Sequence, residues 1–376
     1  MGDLDDARNL VRRARMLLSG AKGTKLLESL DLRNSLTEQL SASEARKVID
    51  DLTVTVVAAD VTAAASRAME KADRGEESNL TDFELASLEA IVQLTGRPAM
   101  RYIDGRVELP PNGVGENDNW RNFVALANAK INAASASVGK VSGANADGTP
   151  SYGIGTAWRL GTDLVVTNRH VAEPLVRDST LDPSRWKLDP EKPALVDFNA
   201  TDHATTVTRF GVAELMYCAE EKAIDFAILR LDPKDKALPP ALELDFDASS
   251  VGREVPVGGV PTFRGEEVYV VGHPYREVPS AASLQVFGNA DASKRCSPGV
   301  VTAIARTYEL EHDCSTLGGN SGSCVLTVSE HKVVGVHYRG IDLDVDTGRG
   351  SANSATALSR LGDHRAASIL KEGRML

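Results

Sequence analysis

The chain has 376 residues, 42% of them hydrophobic and 25% charged, the make-up of a water-soluble globular protein of two or three domains. Lys and Arg number 42 against 53 Asp and Glu, a net charge of −11, which argues against nucleic acid or an anionic membrane as the main partner. No stretch approaches the roughly 20 apolar residues of a membrane span. The acidic opening MGDLDDARNL lacks the basic-then-apolar pattern of an export signal, so the expected location is cytoplasmic.

Up to about residue 135 the pattern is helical. Leu4, Ala7, Val11, Ala14 and Leu18 fall at three-to-four residue spacing and predict one amphipathic helix. Ser41 and Glu44 form a capping box that opens a helix over 42–73, rich in Ala, with Val48, Ile49, Leu52, Val56 and Val57, and Gly75 stops it. Thr81 and Glu84 repeat the box before Leu85, Leu88, Ile91 and Val92, and Gly96 and Pro98 end that helix. A hairpin over 102–109 turns at Asp104-Gly105 and is closed by Pro110 and Pro111. Helix resumes over 118–135 with Trp120, Phe123, Leu126 and Ile131 as its apolar residues. This gives a helical regulatory or interaction domain over 1–135, a candidate for docking partners or covering a cleft.

From 136 the pattern changes to short strands separated by turn residues. Strands are predicted over 153–160, 163–168, 205–210, 226–231, 267–271, 299–306, 323–327 and 332–338, and a last helix over 359–372. Short strands without intervening helices point to an all-β barrel or sandwich. The four cysteines, Cys218, Cys296, Cys314 and Cys324, form no CxxC pair, so no zinc site is implied and they read as reduced thiols. Cys314 and Cys324 flank a glycine-rich turn, and pairing across it is a matter of geometry.

Three segments of the β region carry chemistry. An apolar strand in Leu164-Val-Val-Thr-Asn-Arg-His-Val171 delivers His170 at its end. Asp225 stands just before the apolar run Phe226–Leu231, and Gly318-Gly-Asn-Ser-Gly-Ser323 sets Ser321 in a glycine-rich turn. These residue types suit acyl transfer. A neutral imidazole takes the serine proton during attack and returns it to the leaving group. A carboxylate fixes its tautomer, and the amides of Gly319 and Ser321 are the expected donors to the developing oxyanion. The Gly-x-Ser-x-Gly elbow of another hydrolase class is absent, because Ser323 stands where its last glycine belongs.

TNRHV, DFAILRL and GGNSGS together resemble the three signatures of chymotrypsin-like (trypsin-fold) serine proteases over about 136–360. The resemblance implies an all-β fold of two six-stranded antiparallel barrels following the helical domain. The protease domain would span 136–376, with a first barrel at about 136–246, a second at about 247–358 and the C-terminal helix at 359–372. Catalysis would fall to His170, Asp225 and Ser321, with no cofactor. Within the family, 314–323 and Val333-Val-Gly-Val-His-Tyr338 are similar to the glutamyl endopeptidase (V8-like) branch. Thr316 and His337 match the positions that bind an acidic P1 side chain there, a reasonable task for a hydroxyl and an imidazole. Ser315 lies at the pocket base that is aspartate in trypsin-like members. Arg339 stands where the branch usually has glycine, and Asn320 replaces the aspartate that holds a newly cut N-terminus. The leading helices are similar to N-terminal extensions of some bacterial intracellular trypsin-like proteases, which makes regulated proteolysis the expectation. The implied partners are a protein or peptide substrate and a regulatory protein docked on the helices, with neither nucleic acid nor membrane. An inactive protease-fold scaffold that recruits partners is the alternative. An esterase would use the same chemistry, and the chain ends too soon after the β region for a PDZ module.

Overall fold

The computed structural model describes residues 51–375 except 77–78, 82, 86, 89–97, 110–116, 146, 258–259, 276–291, 305–306, 317 and 340–352. The expected helices over 4–18 and 42–50 lie outside the described residues. Helix α1 (Asp51–Asp73) buries Val61, Ala64, Ala65, Ala68 and Ala72. It ends where expected: Gly75 has φ +74°, and the amides of Gly75 and Glu76 fold back onto Ala72 O and Lys71 O. The second capping box forms, with the Glu84 amide on Thr81 Oγ1 at 3.2 Å and the Thr81 amide on Glu84 Oε2 at 2.9 Å. Lys71 donates to the same carboxylate at 2.8 Å and ties that turn to α1.

Strands β1 (Met100–Ile103) and β2 (Arg106–Val107) form the expected hairpin, with φ +48° at Asp104 and +74° at Gly105, the double positive φ of a type I′ turn. Helix α2 (Asn117–Ala136) follows. Trp120 and Ile131 are buried as read, but Leu126 is 90% exposed and does not belong to the apolar face.

The β region is two closed six-stranded antiparallel barrels, the trypsin-like fold. The first comprises β3 (Val138–Ala144), β4 (Pro150–Arg159), β5 (Leu164–Thr167), β6 (Ala194–Asp197), β7 (Arg209–Cys218) and β8 (Ala227–Asp232) in the cyclic order β3-β4-β5-β8-β7-β6. A separate hairpin, β9 (Gly252–Val257) and β10 (Val260–Gly265), precedes the second barrel. That barrel comprises β11 (Glu267–Gly272), β12 (Arg295–Ile304), β13 (Glu309–His312), β14 (Cys324–Thr327), β15 (Val333–Arg339) and β16 (Asn353–Ala357). Its order is β11-β14-β15-β16-β13-β12, closed by pairing of β12 with β11. Helix α3 (Arg169–Ala172) is a single turn after β5, and α4 (Arg365–Met375) closes the chain.

The continuous apolar runs follow from having a core on each side. Along β5, Val165 enters the first barrel's interior while Leu164 and Val166 enter a cluster between the barrels. Along β8, Ala227, Leu229 and Leu231 face the first interior and Ile228 the shared cluster. On β11, Val268 and Val270 fill the second barrel, and Tyr269 and Val271 turn to the same cluster. The period of two is therefore intact, but neither face meets water, so it does not show as apolar-polar alternation. The shared cluster also takes in Met100, Tyr102 and Val107 of the hairpin, Val124 and Ile131 of α2, and Ala366, Ala367 and Leu370 of α4.

Two polar ties lie at this junction. Asp202, from the first barrel's β6–β7 connection, accepts from Arg101 Nε at 2.6 Å and Arg295 Nη1 at 3.4 Å. Burial raises its carboxyl pKa, but Arg295, Ser293 and Arg101 outweigh that, and the net displacement is downward. Buried Lys294 donates to Ser135 O and Phe198 O, each at 2.7 Å, joining the second barrel to the end of α2 and to the first barrel.

Candidate active site

The sequence around His170 explains its placement. The strand β5 ends at Thr167, Asn168 stays extended with ψ 156°, and the chain turns into α3. Asn168 Nδ2 donates to Asp225 O at 2.8 Å, and the Arg169 guanidinium donates to Ala219 O at 3.2 Å and Glu221 O at 3.0 Å. The residues just past β5's end thus fasten the loop that carries Asp225. The carboxylate then grips His170 twice: the backbone amide donates to Oδ1 at 3.1 Å, and ring Nδ1 meets Oδ2 at 2.5 Å. An ionised carboxylate only accepts, so Nδ1 carries the proton and Nε2 presents its lone pair. The His170 side chain is 43% exposed and that of Asp225 16%, so the ring opens to solvent from a sheltered carboxylate.

Ser321 comes from the opposite barrel. Gly155 of β4 stands between Val171 and the Ser321 backbone, with room for no side chain: a Cβ there would lie 2.7 Å from Val171 Cγ2 and 2.9 Å from Ser321 O. The nucleophile turn therefore packs beside the residue that follows His170. Its backbone requires glycine at two points. Gly319 has φ +81° and Gly322 φ +89°, and a Cβ on Gly322 would meet Thr156 O at 2.0 Å.

Four successive carbonyls of the turn are tied. Gly318 O accepts from the Tyr275 amide at 2.5 Å, Gly319 O from Thr156 Oγ1 at 2.8 Å, Asn320 O from the Ser323 amide at 2.9 Å and Ser321 O from the Thr156 amide at 2.8 Å. A trans peptide points its N–H opposite its C=O, and no peptide among the described residues is cis. The Gly319 and Ser321 amides are thus held away from Tyr275 and Ser323, and among the described residues neither donates to any acceptor. Two fixed, unspent donors beside a serine are what an oxyanion site needs.

Of the residues expected in the substrate pocket, His337 and Arg339 lie on β15, and Ser315 and Thr316 in the segment before the nucleophile turn. His337 and Ser315 are buried, at 1% and 2% exposure. His337 Nδ1 lies 3.2 Å from Nε2 of His312, a residue without any sequence signal of its own. Burial pushes the His337 imidazole well below its usual pKa, and the neighbouring His312 and His170 push the same way. Thr316 Oγ1 donates to Asn353 Oδ1 at 2.8 Å, and Asn353 Nδ2 in turn donates to Cys314 O. Arg339 lies 3.8 Å from Glu309 on β13, whose Oε1 also accepts from Tyr338 at 3.2 Å and Ser354 at 2.5 Å. Its charge is therefore partly engaged along the barrel wall. A bulge between His337 and Arg339 shifts the register against β16. Cys314 and Cys324 are both buried and in no disulfide, so no covalent bond crosses the turn. Among the described residues no group of His, Cys, Asp and Glu could hold a metal ion, and no helix is long and apolar enough to cross a membrane.

Thr156, Asn168 and His312 are the residues of this region that sequence reading passed over. Asn168 sits in a quoted motif and Thr156 on a predicted strand, but nothing in either segment marks them as anchors, and His312 lies in a polar stretch with no apolar pattern to mark it as buried.

Known proteins share parts of this chain. Over 218 residues it is 25% identical to the human protein "Serine protease FAM111B", an alignment covering 52% of this chain and 28% of that protein, so the chain spans well under two thirds of that relative's length. Among solved structures, the serine endoprotease from Yersinia pestis aligns at 16% identity and a TM-score of 0.40, covering 65% of this chain and 66% of that one. Deg5 aligns at 16% identity and a TM-score of 0.41, covering 70% and 100%. Residues 155–336, the stretch that holds the His170, Asp225 and Ser321 segments, match the trypsin-like peptidase domain family.

Proposed function

We propose that the protein is a serine endopeptidase, in which Ser321 attacks the scissile carbonyl, His170 shuttles the proton and Asp225 holds the imidazole. The reading is supported by the double grip of Asp225 on His170, which leaves Nε2 as the ring nitrogen available to act as a base. As Ser321 Oγ bonds to the carbonyl carbon, its proton passes to His170 Nε2, and the imidazolium is stabilised by the carboxylate on Nδ1. The oxyanion forms toward the Gly319 and Ser321 amides. Collapse of the tetrahedral species expels the amine, which takes the proton from His170, and water repeats the sequence to release the acid.

An acidic P1 side chain is the preference that the pocket chemistry supports. If His312 Nε2 donates to His337 Nδ1, the single proton of a neutral His337 lies on Nε2, and the ring can donate to a carboxylate without a buried positive charge. Thr316 can join only by releasing Asn353, so its bond is exchanged rather than gained. The helical segment over 1–135 is assigned a regulatory or partner-docking part.

The test is labelling of the full chain with a fluorophosphonate, read by intact mass, beside Ser321→Ala, together with cleavage-site profiling on a peptide library. Single labelling lost in the variant, and cuts after Glu or Asp, are expected. Failure to label under any condition would favour the scaffold reading, and cuts mainly after Lys or Arg would reject the pocket assignment.

A further inference from the structure

We infer that Thr156 is a positioning residue through which the first barrel sets the oxyanion turn of the second; this rests on the serine-hydrolase reading above. Thr156 is fully buried on β4, and its two polar groups hold alternate carbonyls of the turn. Its hydroxyl donates to Gly319 O at 2.8 Å and its amide to Ser321 O at 2.8 Å. These two bonds bracket the Asn320–Ser321 peptide, whose N–H is one of the two oxyanion donors.

The hydroxyl has one proton, and the surroundings decide where it goes. The His273 amide donates to Thr156 Oγ1 at 3.0 Å, so the oxygen is an acceptor there and its proton is committed to Gly319 O. On the other side, Thr167 Oγ1 donates to Thr156 O at 2.7 Å, anchoring Thr156 to the strand that delivers His170. One short chain of bonds, from Thr167 through Thr156 to Gly319, therefore joins the base-bearing strand to the oxyanion turn. Glycines at 318 and 319 impose few steric limits on their peptide planes. Without the hydroxyl tie, the Gly319–Asn320 plane, which joins the two donor-bearing planes, can rotate about Gly319, and the relative aim of the Gly319 and Ser321 amides is left to the Tyr275 and Ser323 bonds alone. The backbone bond to Ser321 O would persist in any variant, so the side chain's effect falls on the donors rather than on the nucleophile's place.

The experiment compares wild type, Thr156→Val and Thr156→Ser as full chains. It reads the fluorophosphonate labelling rate and kcat and KM on fluorescein-labelled casein, each per folded molecule by near-ultraviolet circular dichroism and burst titration. Val keeps the shape and removes the proton; Ser keeps the proton and drops a methyl. Losing an oxyanion donor outright costs about 10²–10³-fold, so a loosened pair is expected to slow labelling and kcat by about 10–100-fold in the Val variant, with KM within about threefold. The Ser variant is expected to stay close to wild type on both. A folded Val variant that labels at the wild-type rate, or a folded Ser variant as slow as Val, would overturn the inference. If Val does not fold, the Ser variant and Thr156→Ala decide it: Ala must be slow per folded molecule where Ser is not. An unlabelled wild type would instead overturn the protease reading, which separates the two failures.

Discussion

Asp225→Asn is the sharpest probe of the site, because the fork on His170 asks for two acceptors and an amide has one. In the native chain Oδ1 takes the backbone N–H of His170 at 3.1 Å and Oδ2 takes Nδ1–H at 2.5 Å. An asparagine must face one of these donors with its own NH2. The backbone N–H cannot give up its proton, whereas the imidazole can change tautomer. The stable arrangement is therefore carbonyl oxygen to the backbone and NH2 to an unprotonated Nδ1, which moves the ring proton to Nε2. That nitrogen then has no lone pair for the serine proton, although no atom has moved far. Loss of the correct tautomer lowers kcat by about 10⁴-fold, or about 5 kcal/mol of barrier. The assay is steady-state cleavage of fluorescein-labelled casein at neutral pH, with thermal unfolding confirming that the variant folds. A folded Asp225→Asn protein within about tenfold of wild-type kcat would refute the assignment of Asp225 as the group that sets the imidazole.

Lys294 gives a prediction on stability against pH. Burial drives its amine down to about 7, from an unfolded value near about 10.4. Between those values the unfolded chain binds the extra proton, so stability rises as pH increases from about 7 to about 10. Chemical denaturation at about pH 7 and about pH 9 should show this gain, and Lys294→Met, though less stable overall, should lose that part of the slope; an unchanged slope in the variant would refute it. The four cysteines are buried and form no disulfide, and burial pushes Cys218, Cys296 and Cys324 up to about 12. A disulfide reagent at about pH 8 should therefore label the folded protein slowly and all four thiols at once in denaturant. Rapid labelling of the native chain would contradict the described burial.

The parts of the fold legible in the sequence are those where burial leaves a pattern. The runs at 164–167 and 227–229 are apolar because each lies between two cores, and their ends carry His170 and Asp225. Gly75, the Thr81–Glu84 box and Asp104-Gly105 are equally plain, since local backbone chemistry settles them. Strands β3, β13 and β16 carry no such mark. Val138–Ala144 and Asn353–Ala357 are built from small or polar residues, and Glu309–His312 reads as solvent-facing although Leu310 and His312 are buried. Their place comes from pairing on both sides, which no short window records. The strand expected at 205–210 begins instead at Arg209, because Asn199 engages Thr206 in the loop before it. At the candidate site, His170, Asp225 and Ser321 are legible as residue types near strand ends. The ties around them, through Thr156 and Asn168, and the pairing of His312 with His337 are not, because each depends on a partner far along the chain.

The early hairpin has a cost in time. Arg101 of β1 finds its mate in Arg295 of β12, so a ribosome must finish the whole first barrel and begin the second before that edge is satisfied. At about 5–20 residues per second this leaves the nascent hairpin without its neighbour for roughly 10–40 s, long enough for the first barrel to assemble and wait. The seam then closes between a strand made before the first barrel and one made after it.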